Sequence, residues 1–118
     1  MCLKVSSERL NGTRARDACE SEGARLVKID TEEKNDAIVE ILKKEYSDLF
    51  HIGLFKNHTG DGSWRWTDNS VLVYNNWLPS SQRMDGPFTG LNMVYDGVSS
   101  YWRQVYDFEM LRYICEKP

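Results

Sequence analysis

The sequence predicts an α+β fold in a single domain, and three observations support that class. The chain has 118 residues, which is close to the usual size of one domain. Two segments with helical periodicity come first and short strand-like segments follow, a layout typical of α+β proteins. Residues 68–100 have no helical period and are rich in Asn, Asp, Ser, Gly and Pro. We therefore predict one domain over residues 1–118, with its function in this long irregular region.

The first helix is predicted over residues 14–22. Cys19 shares a helix face with Ala15, four residues earlier, so we expect Cys19 to point toward the core. Thr13 is the predicted N-cap, because a side-chain hydroxyl can accept a bond from an amide of the first turn. Gly23 is expected to end the helix, because glycine adopts the left-handed conformation found there.

The second helix is predicted over residues 31–45, after a strand at residues 25–29. Asp30 is the predicted cap, because Glu33 follows it at the spacing of a capping box. The apolar stripe consists of Ala37, Ile38, Ile41 and Leu42. Charged residues are expected to face solvent on the other side, namely Glu32, Glu33, Lys34, Lys43 and Lys44.

Short strands account for most of the remaining apolar residues. They are predicted at residues 3–6, 51–55, 64–66, 71–74, 91–95, 101–105 and 111–115. Trp64 and Trp66 alternate with one polar residue, so both should lie on the same face of a strand. Gly60-Asp61-Gly62 is expected to form a turn.

Composition excludes several classes of function. The net charge is −3 without a basic run, which argues against nucleic-acid binding. No apolar stretch is long enough to insert into a membrane. The chain lacks the common hydrolase, metalloprotease and phosphate-loop motifs, and His51 and His58 are isolated, so we predict neither an enzyme nor a zinc site. We expect His51 to be a core or half-buried residue.

Three cysteines leave two possibilities open. Cys2, Cys19 and Cys115 could all be free thiols of a cytosolic protein, or Cys19 and Cys115 could form one bridge. Such a bridge closes a loop of about 100 residues, worth roughly 4 to 5 kcal/mol in the chain-entropy model. Asn11 and Asn57 begin N-glycosylation sequons in polar, glycine-containing stretches that are typical of surface turns. With the cysteines they favour an extracellular module, secreted or part of a membrane-protein ectodomain, excised from a larger protein.

Six short segments occur in a fixed order and carry a family resemblance. They are residues 15–29, Glu33 with Ile38, His51-Ile52-Gly53-Leu54, residues 64–68, Asn76-Trp77 and residues 113–116. In that order the chain resembles the C-type lectin-like domain over residues 2–118, although His51 stands where the family has Trp. The resemblance implies that fold and a disulfide between Cys19 and Cys115. It also implies that Cys2 is unpaired here, because its partner in longer members lies upstream.

The chain departs from the family at its second disulfide and at its calcium site. Leu91 and Asp107 occupy the expected cysteine positions, so the disulfide that braces the long loop is absent. Ser81-Gln82-Arg83 replaces the calcium-binding triplet, Thr89-Gly90 an acidic step, and Trp102-Arg103-Gln104 the Trp-Asn-Asp ending. Calcium needs six to eight oxygen ligands, and arginine offers none. We therefore predict no cofactor and no metal, although the loop acids Asp61, Asp68, Asp85 and Asp96 leave a different metal site as an unclaimed alternative.

These departures predict a calcium-independent recognition module that binds a protein ligand through the long-loop face. The alternative is a calcium-independent lectin for acidic or sulfated glycans, in which Arg83 and Arg103 hold the anion. A calcium-dependent lectin is the less favoured third interpretation. Self-association as a homodimer would be unsurprising for the family. Candidate ligand-binding residues are Gln82, Arg83, Asp85, Phe88, Tyr101, Arg103 and Gln104, with Met84 and Tyr106 beside them. For Met84, Phe88, Tyr101 and Tyr106 we keep open a purely structural role in packing the loop.

Overall fold

A computed structural model describes residues 2–43, 48–56, 64–76, 91–96 and 101–117. Within these ranges the chain forms two helices and seven strands. In chain order they are β1 (Cys2–Val5), α1 (Gly12–Ser21), β2 (Arg25–Leu26), α2 (Glu32–Lys43), β3 (Leu49–Lys56), β4 (Trp64–Trp66), β5 (Leu91–Asp96), β6 (Tyr101–Tyr106) and β7 (Arg112–Lys117). The predicted α+β class is confirmed. The described helices include none that is long and apolar enough to cross a membrane.

The strands form one sheet, with β1 at one edge and β6 at the other. The order along the sheet is β1-β7-β3-β5-β6, with β2 paired to β7 and β4 paired to β3. Strands β3 and β7 are parallel, and the other pairs are antiparallel. Cys2 lies opposite Lys117 in the β1–β7 pair. The beginning and the end of the described chain therefore share one edge, and β6 forms the other.

Helix α1 begins earlier than predicted. Asn11, rather than Thr13, is the N-cap, and its side chain accepts a bond of 2.8 Å from the amide of Arg14. The hydroxyl of Thr13 instead donates to Asp107, a partner 94 residues away that no local rule could identify. The end of the helix is as predicted, with Gly23 at φ 73°.

Helix α2 also differs from the prediction, both in its N-cap and in the residues of its apolar stripe. Thr31 is the cap, because its hydroxyl accepts a bond of 3.2 Å from the amide of Lys34, so the predicted Asp30 cap is wrong by one residue. Ile41 is 47% exposed, and the core contacts come from Ile38 and Leu42, with Val39 packed beside them. Lys34 does not face open solvent but pairs with Glu116 at 2.7 Å.

Two predicted strands are shorter or absent. The strand at 25–29 is reduced to β2, although the amide of Val27 still donates to Ile114 and its carbonyl accepts from Gly53. A β-carbon at Gly53 would lie 2.7 Å from the carbonyl oxygen of Leu26, so only glycine fits this crossing. Residues 71–74 form no strand, and Val71 makes one isolated bridge to Arg65. The predicted turn at 60–62 lies outside the described residues.

The core consists of one large cluster and one small one. Both tryptophans of β4 lie on its buried face, so the predicted shared face is confirmed, and Trp66 makes an edge-to-face contact with Trp102 of β6. The small cluster lies between α1 and β7 around the disulfide that joins Cys19 to Cys115. This is the pairing that the family resemblance implied. Cys2 is a free, exposed cysteine.

Candidate functional site on strand β6 and the following turn

Burial alternates along β6 only over residues 101–103, because Val105 is buried although it lies on the same side of the strand as Tyr101 and Arg103. Trp102 is fully buried and Val105 nearly so, whereas Tyr101 is 38% exposed and Tyr106 is 51% exposed. The side chain of Arg103 is 48% exposed, and Gln104 is half-buried. Two of the predicted ligand-binding residues, Tyr101 and Arg103, therefore share the solvent face of β6. Both tyrosines are partly exposed, and the alternative that they pack beneath the long loop stays open, because residues 77–90 of that loop lie outside the described residues.

Arg103 forms an ion pair across the sheet with a carboxylate on β5. Its Nη1 atom lies 3.5 Å from Oδ2 of Asp96, whose side chain is only 12% exposed. The register places Val94 opposite Arg103 and Tyr101 opposite Asp96, so the two charged residues are diagonal neighbours. The acid of β5 that could have served as an oxygen ligand is thus beside a fixed positive charge.

A second loop acid, Asp68, is also engaged with cations. Lys28 donates to its Oδ2 at 2.9 Å, and Arg25 lies 3.9 Å from the same oxygen. The side chain and the amide of Ser70 donate to its other oxygen. The bonds from Ser70 and Lys28 hold the pKa of Asp68 far below its usual range. In the parts of the chain described here, no three His, Cys, Asp or Glu residues are grouped as metal ligands.

Trp102 is held by two hydrogen bonds that position β6. Its indole nitrogen donates to Oδ1 of Asn35 on α2 at 3.1 Å, and its amide donates to the carbonyl of Asn76 at 2.8 Å. Asn35 is itself buried, and sequence reasoning missed it because a polar residue in a helical pattern is expected to face solvent. The bonds from Trp102 to Asn35 and to Asn76 together hold the β6 backbone from which Tyr101 and Arg103 project.

The turn after β6 adds two exposed residues, Phe108 and Met110, that the sequence analysis did not include beside Tyr106. Phe108 is 72% exposed and Met110 is 52% exposed. The rings of Tyr106 and Phe108 stack, with centroids 5.3 Å apart and planes at 6°. We call residues 106–110 the aromatic turn. The sequence signal for this turn was the alternation of aromatic and acidic residues in Tyr106-Asp107-Phe108-Glu109. Because it directly follows the predicted strand at 101–105, it resembles a continuation of that strand.

The aromatic turn is fastened to the start of α1. The carbonyl of Asp107 accepts from the amide of Gly12 at 2.9 Å, and its carboxylate accepts from the hydroxyl of Thr13 at 2.8 Å. Leu91 pairs with Tyr106, so the two positions at which the family's second disulfide was expected, Leu91 and Asp107, are close together. Where that disulfide would brace the loop, Asp107 instead ties the turn to α1.

His51 fastens the same turn from inside the domain. It is 1% exposed, and its Nε2 atom lies 3.0 Å from the carbonyl oxygen of Leu10 and 3.2 Å from that of Glu109. Two carbonyl acceptors require that Nε2 carries the proton. Within the described residues, the buried Nδ1 atom has no hydrogen-bond partner. Burial lowers the pKa of this imidazole, so the neutral form is favoured.

His51 also lines a small cavity of about 90 Å³ between β3 and α1. Arg16 and Thr13 of α1 line the same cavity, as does Asp107. His51 is thus a buried histidine, as expected, although only one of its two ring nitrogens is hydrogen-bonded.

Several predicted residues lie elsewhere or outside the described ranges. Asn11 is a helix cap rather than part of a free surface turn, so that part of the sequon prediction is wrong, while its glycosylation stays a prediction. The remaining candidates lie outside the described residues, namely Asn57, Asp61, Gln82, Arg83, Met84, Asp85 and Phe88.

Comparisons with known proteins agree with this architecture. A family model described as the Lectin C-type domain matches residues 8–117. C-type mannose receptor 2 of Mus musculus is 37% identical over 101 residues, which cover 85% of this chain and 7% of that protein. CD302 antigen of Bos taurus is 39% identical over 64 residues, which cover 52% of this chain and 27% of that protein. The chain thus spans only a small part of these relatives.

Solved structures show the same fold. TC14, a C-type lectin from the tunicate Polyandrocarpa misakiensis, has a TM-score of 0.83 at 21% identity, covering 98% of this chain and 96% of that one. The human scavenger receptor C-type lectin carbohydrate-recognition domain has a TM-score of 0.81 at 22% identity, covering 98% of this chain and 89% of that one.

Proposed function

Because the chain belongs to the C-type lectin domain family, we propose that this recognition module binds a protein ligand without calcium. The proposed binding face is the long-loop region together with the solvent side of β6, where Tyr101 and Arg103 project. We propose no enzymatic activity, because the family is one of binding domains and the sequence lacks the common catalytic motifs. We also propose an extracellular setting, secreted or in a receptor ectodomain, because the disulfide between Cys19 and Cys115 persists in an oxidising compartment.

The observation that carries calcium independence is the ion pair between Arg103 and Asp96. Arg103 and Gln104 stand where calcium-binding relatives are expected to have Asn and Asp. The guanidinium group lies 3.5 Å from the carboxylate of Asp96 and repels a second cation from the same place. A calcium ion here would have to displace Arg103, and the sequence replaces the family's calcium-binding residues at Ser81-Gln82-Arg83 and at Arg103-Gln104.

A protein ligand fits this face better than an acidic glycan. The charge of Arg103 is already balanced in part by Asp96, and the chain as a whole carries a charge of −3. A sulfated or carboxylated sugar would therefore meet little unpaired positive charge on β6. Tyrosine and arginine side by side on an exposed strand are typical of the residues that dominate protein interfaces. Carbohydrate recognition, named for the scavenger receptor domain, is the competing function that the experiment must exclude.

The first test is isothermal titration calorimetry of the chain with CaCl₂, accompanied by thermal melts with and without EDTA. We expect no saturable heat and no change in Tm, because the sequence replaces the family's calcium-binding residues. The matched double variant is Arg103→Asn with Gln104→Asp. It restores the Asn and Asp expected in calcium-binding relatives and leaves the core unchanged. Calcium binding by this variant alone would show that the other ligands of the site are still present. A stoichiometric calcium isotherm for the unmodified chain, with a lower Tm in EDTA, would overturn calcium independence.

The ligand class is tested by screening the calcium-free chain against extracellular protein and sulfated-glycan arrays. Arg103→Ala and the exposed Ile41→Ser on α2 serve as site and control variants. We expect protein signals that Arg103→Ala reduces and Ile41→Ser does not. Signals confined to sulfated glycans would favour the alternative lectin.

A further inference from the structure

The aromatic turn has the properties of a second docking surface. The stacked rings of Tyr106 and Phe108, which are 51% and 72% exposed, form one mostly apolar patch of roughly 250 Å². Met110, two residues after Phe108, is 52% exposed. A patch of that size on a small domain is often functional. It is also far below the roughly 800 Å² per partner that a stable dimer buries, so a second copy of this chain is a poor occupant by itself.

Two carboxylates alternate with the apolar residues of the turn. Asp107 and Glu109 flank Phe108 in the sequence. In the ranges the structure covers, the carboxylate of Glu109 has no ion-pair partner, whereas that of Asp107 is bonded to Thr13. Because both acids adjoin Phe108 in the sequence, the turn combines negative charge with exposed aromatic rings. That combination complements a cation that has a flat, weakly hydrated face.

The stacked rings leave one face each for such a cation. Tyr106 covers one side of the Phe108 ring and Phe108 one side of the Tyr106 ring. With 72% of Phe108 exposed, its opposite face reaches solvent. An arginine guanidinium stacks on aromatic faces and pairs with carboxylates at the same time, which lysine does less well.

The turn is held rigidly, so little ordering is required on binding. Its backbone is bonded to Gly12 at Asp107 and to His51 at Glu109, and Leu111 pairs with Leu10 on both sides. Exposed side chains on a backbone fixed in advance lose less conformational entropy when a partner arrives.

We propose that the aromatic turn binds an arginine-bearing segment of a partner protein, with the guanidinium over Phe108 and beside Glu109 and an adjacent apolar side chain on Met110. This site is separate from the Tyr101 and Arg103 face and does not depend on the calcium-free function proposed for that face. It stands at the end of β6 that is furthest from Tyr101.

The test is an NMR titration of the ¹⁵N-labelled chain with the blocked peptide Gly-Arg-Leu-Gly, compared with the same peptide carrying citrulline instead of arginine. We expect amide shifts centred on residues 106–110 and binding about fivefold weaker for the uncharged citrulline peptide. Phe108→Ser and Glu109→Gln should each weaken arginine-peptide binding severalfold. Val73→Ser, at an exposed apolar residue outside the turn, should leave binding unchanged.

Three results would overturn the proposal. Equal binding of both peptides would show that positive charge is not recognised. Shifts located away from the aromatic turn, or none, would show that the peptide binds elsewhere or not at all. Shifts of residues 106–110 with methyl glycosides but not with the arginine peptide would assign the turn to a sugar. Every one of these readouts is independent of calcium and of Arg103, so failure here leaves the proposed function of β6 standing.

Discussion

At the scale of single residues, polar groups in the interior decide where β6 and its turn lie. Trp102 is fixed by Asn35, and the turn is fixed by His51 through the carbonyl of Glu109. Sequence reasoning placed Trp102 at the family's Trp-Asn-Asp position and expected a core or half-buried His51. It could not identify the hydrogen-bond partners of these two side chains. Those partners lie 67 and 58 residues away, and side-chain identity alone does not encode such pairs.

The lowered pKa of His51 makes stability depend on pH. The unfolded chain binds a proton on His51 near pH 6.5, while the folded chain resists it, so the free energy of unfolding falls as pH drops below about 6.5. We predict that Tm decreases from pH 7 to pH 5 and that His51→Gln, which keeps a donor for the carbonyls, reduces this dependence. Parallel pH series of melts for both proteins check it, and identical slopes would contradict it.

At the scale of secondary-structure elements, the sequence predicted the type and order of both helices and of most strands, but it missed helix starts. Both caps were misplaced because several residues near each start can accept the same bond. Asp30 and Thr31 are adjacent candidates, and only the path of the chain selects Thr31. The strand expected at 71–74 fails for a related reason, because within the described residues this segment pairs only through the single bridge between Val71 and Arg65.

The cap of α2 gives a direct comparison between the two candidates. Thr31→Ala should lower the free energy of unfolding by about 1 kcal/mol, because the amide of Lys34 loses its acceptor. Asp30→Ala is the matched control and should change it by less than about 0.5 kcal/mol. Urea denaturation followed by circular dichroism measures both. A larger loss for Asp30→Ala would mean that the expected cap was right.

At the scale of the whole molecule, the disulfide is a covalent crosslink between two distant parts of the chain. It joins residues 96 positions apart and connects α1 to β7 across the small core cluster. The sequence limited the cysteine pairing to few choices, and the family resemblance selected one. The proposed binding surface was far less predictable, because the exposure of Tyr101, Phe108 and Met110 depends on tertiary packing, which the residue type does not encode.

Removing the disulfide should destabilise the domain strongly. Cys19→Ala with Cys115→Ala is expected to lower the free energy of unfolding by about 4 kcal/mol, since the unfolded chain regains the entropy of a long open loop. Cys2→Ser is the control and should have little effect, because Cys2 is free and exposed. Chemical denaturation of the three proteins is the measurement. Equal stability of the double variant and the parent would show that the bridge contributes nothing.

The pairing of Cys2 with Lys117 has a mechanical consequence. A pull on both ends of the described chain opens the β1–β7 pair one hydrogen bond at a time, from its outer end inward. The tension then passes through the covalent bond between Cys19 and Cys115, and everything between those cysteines carries no load. Strand β6 and the aromatic turn lie inside that shielded loop. A module tethered at this edge could thus be stretched by its neighbours while its binding surfaces keep their shape.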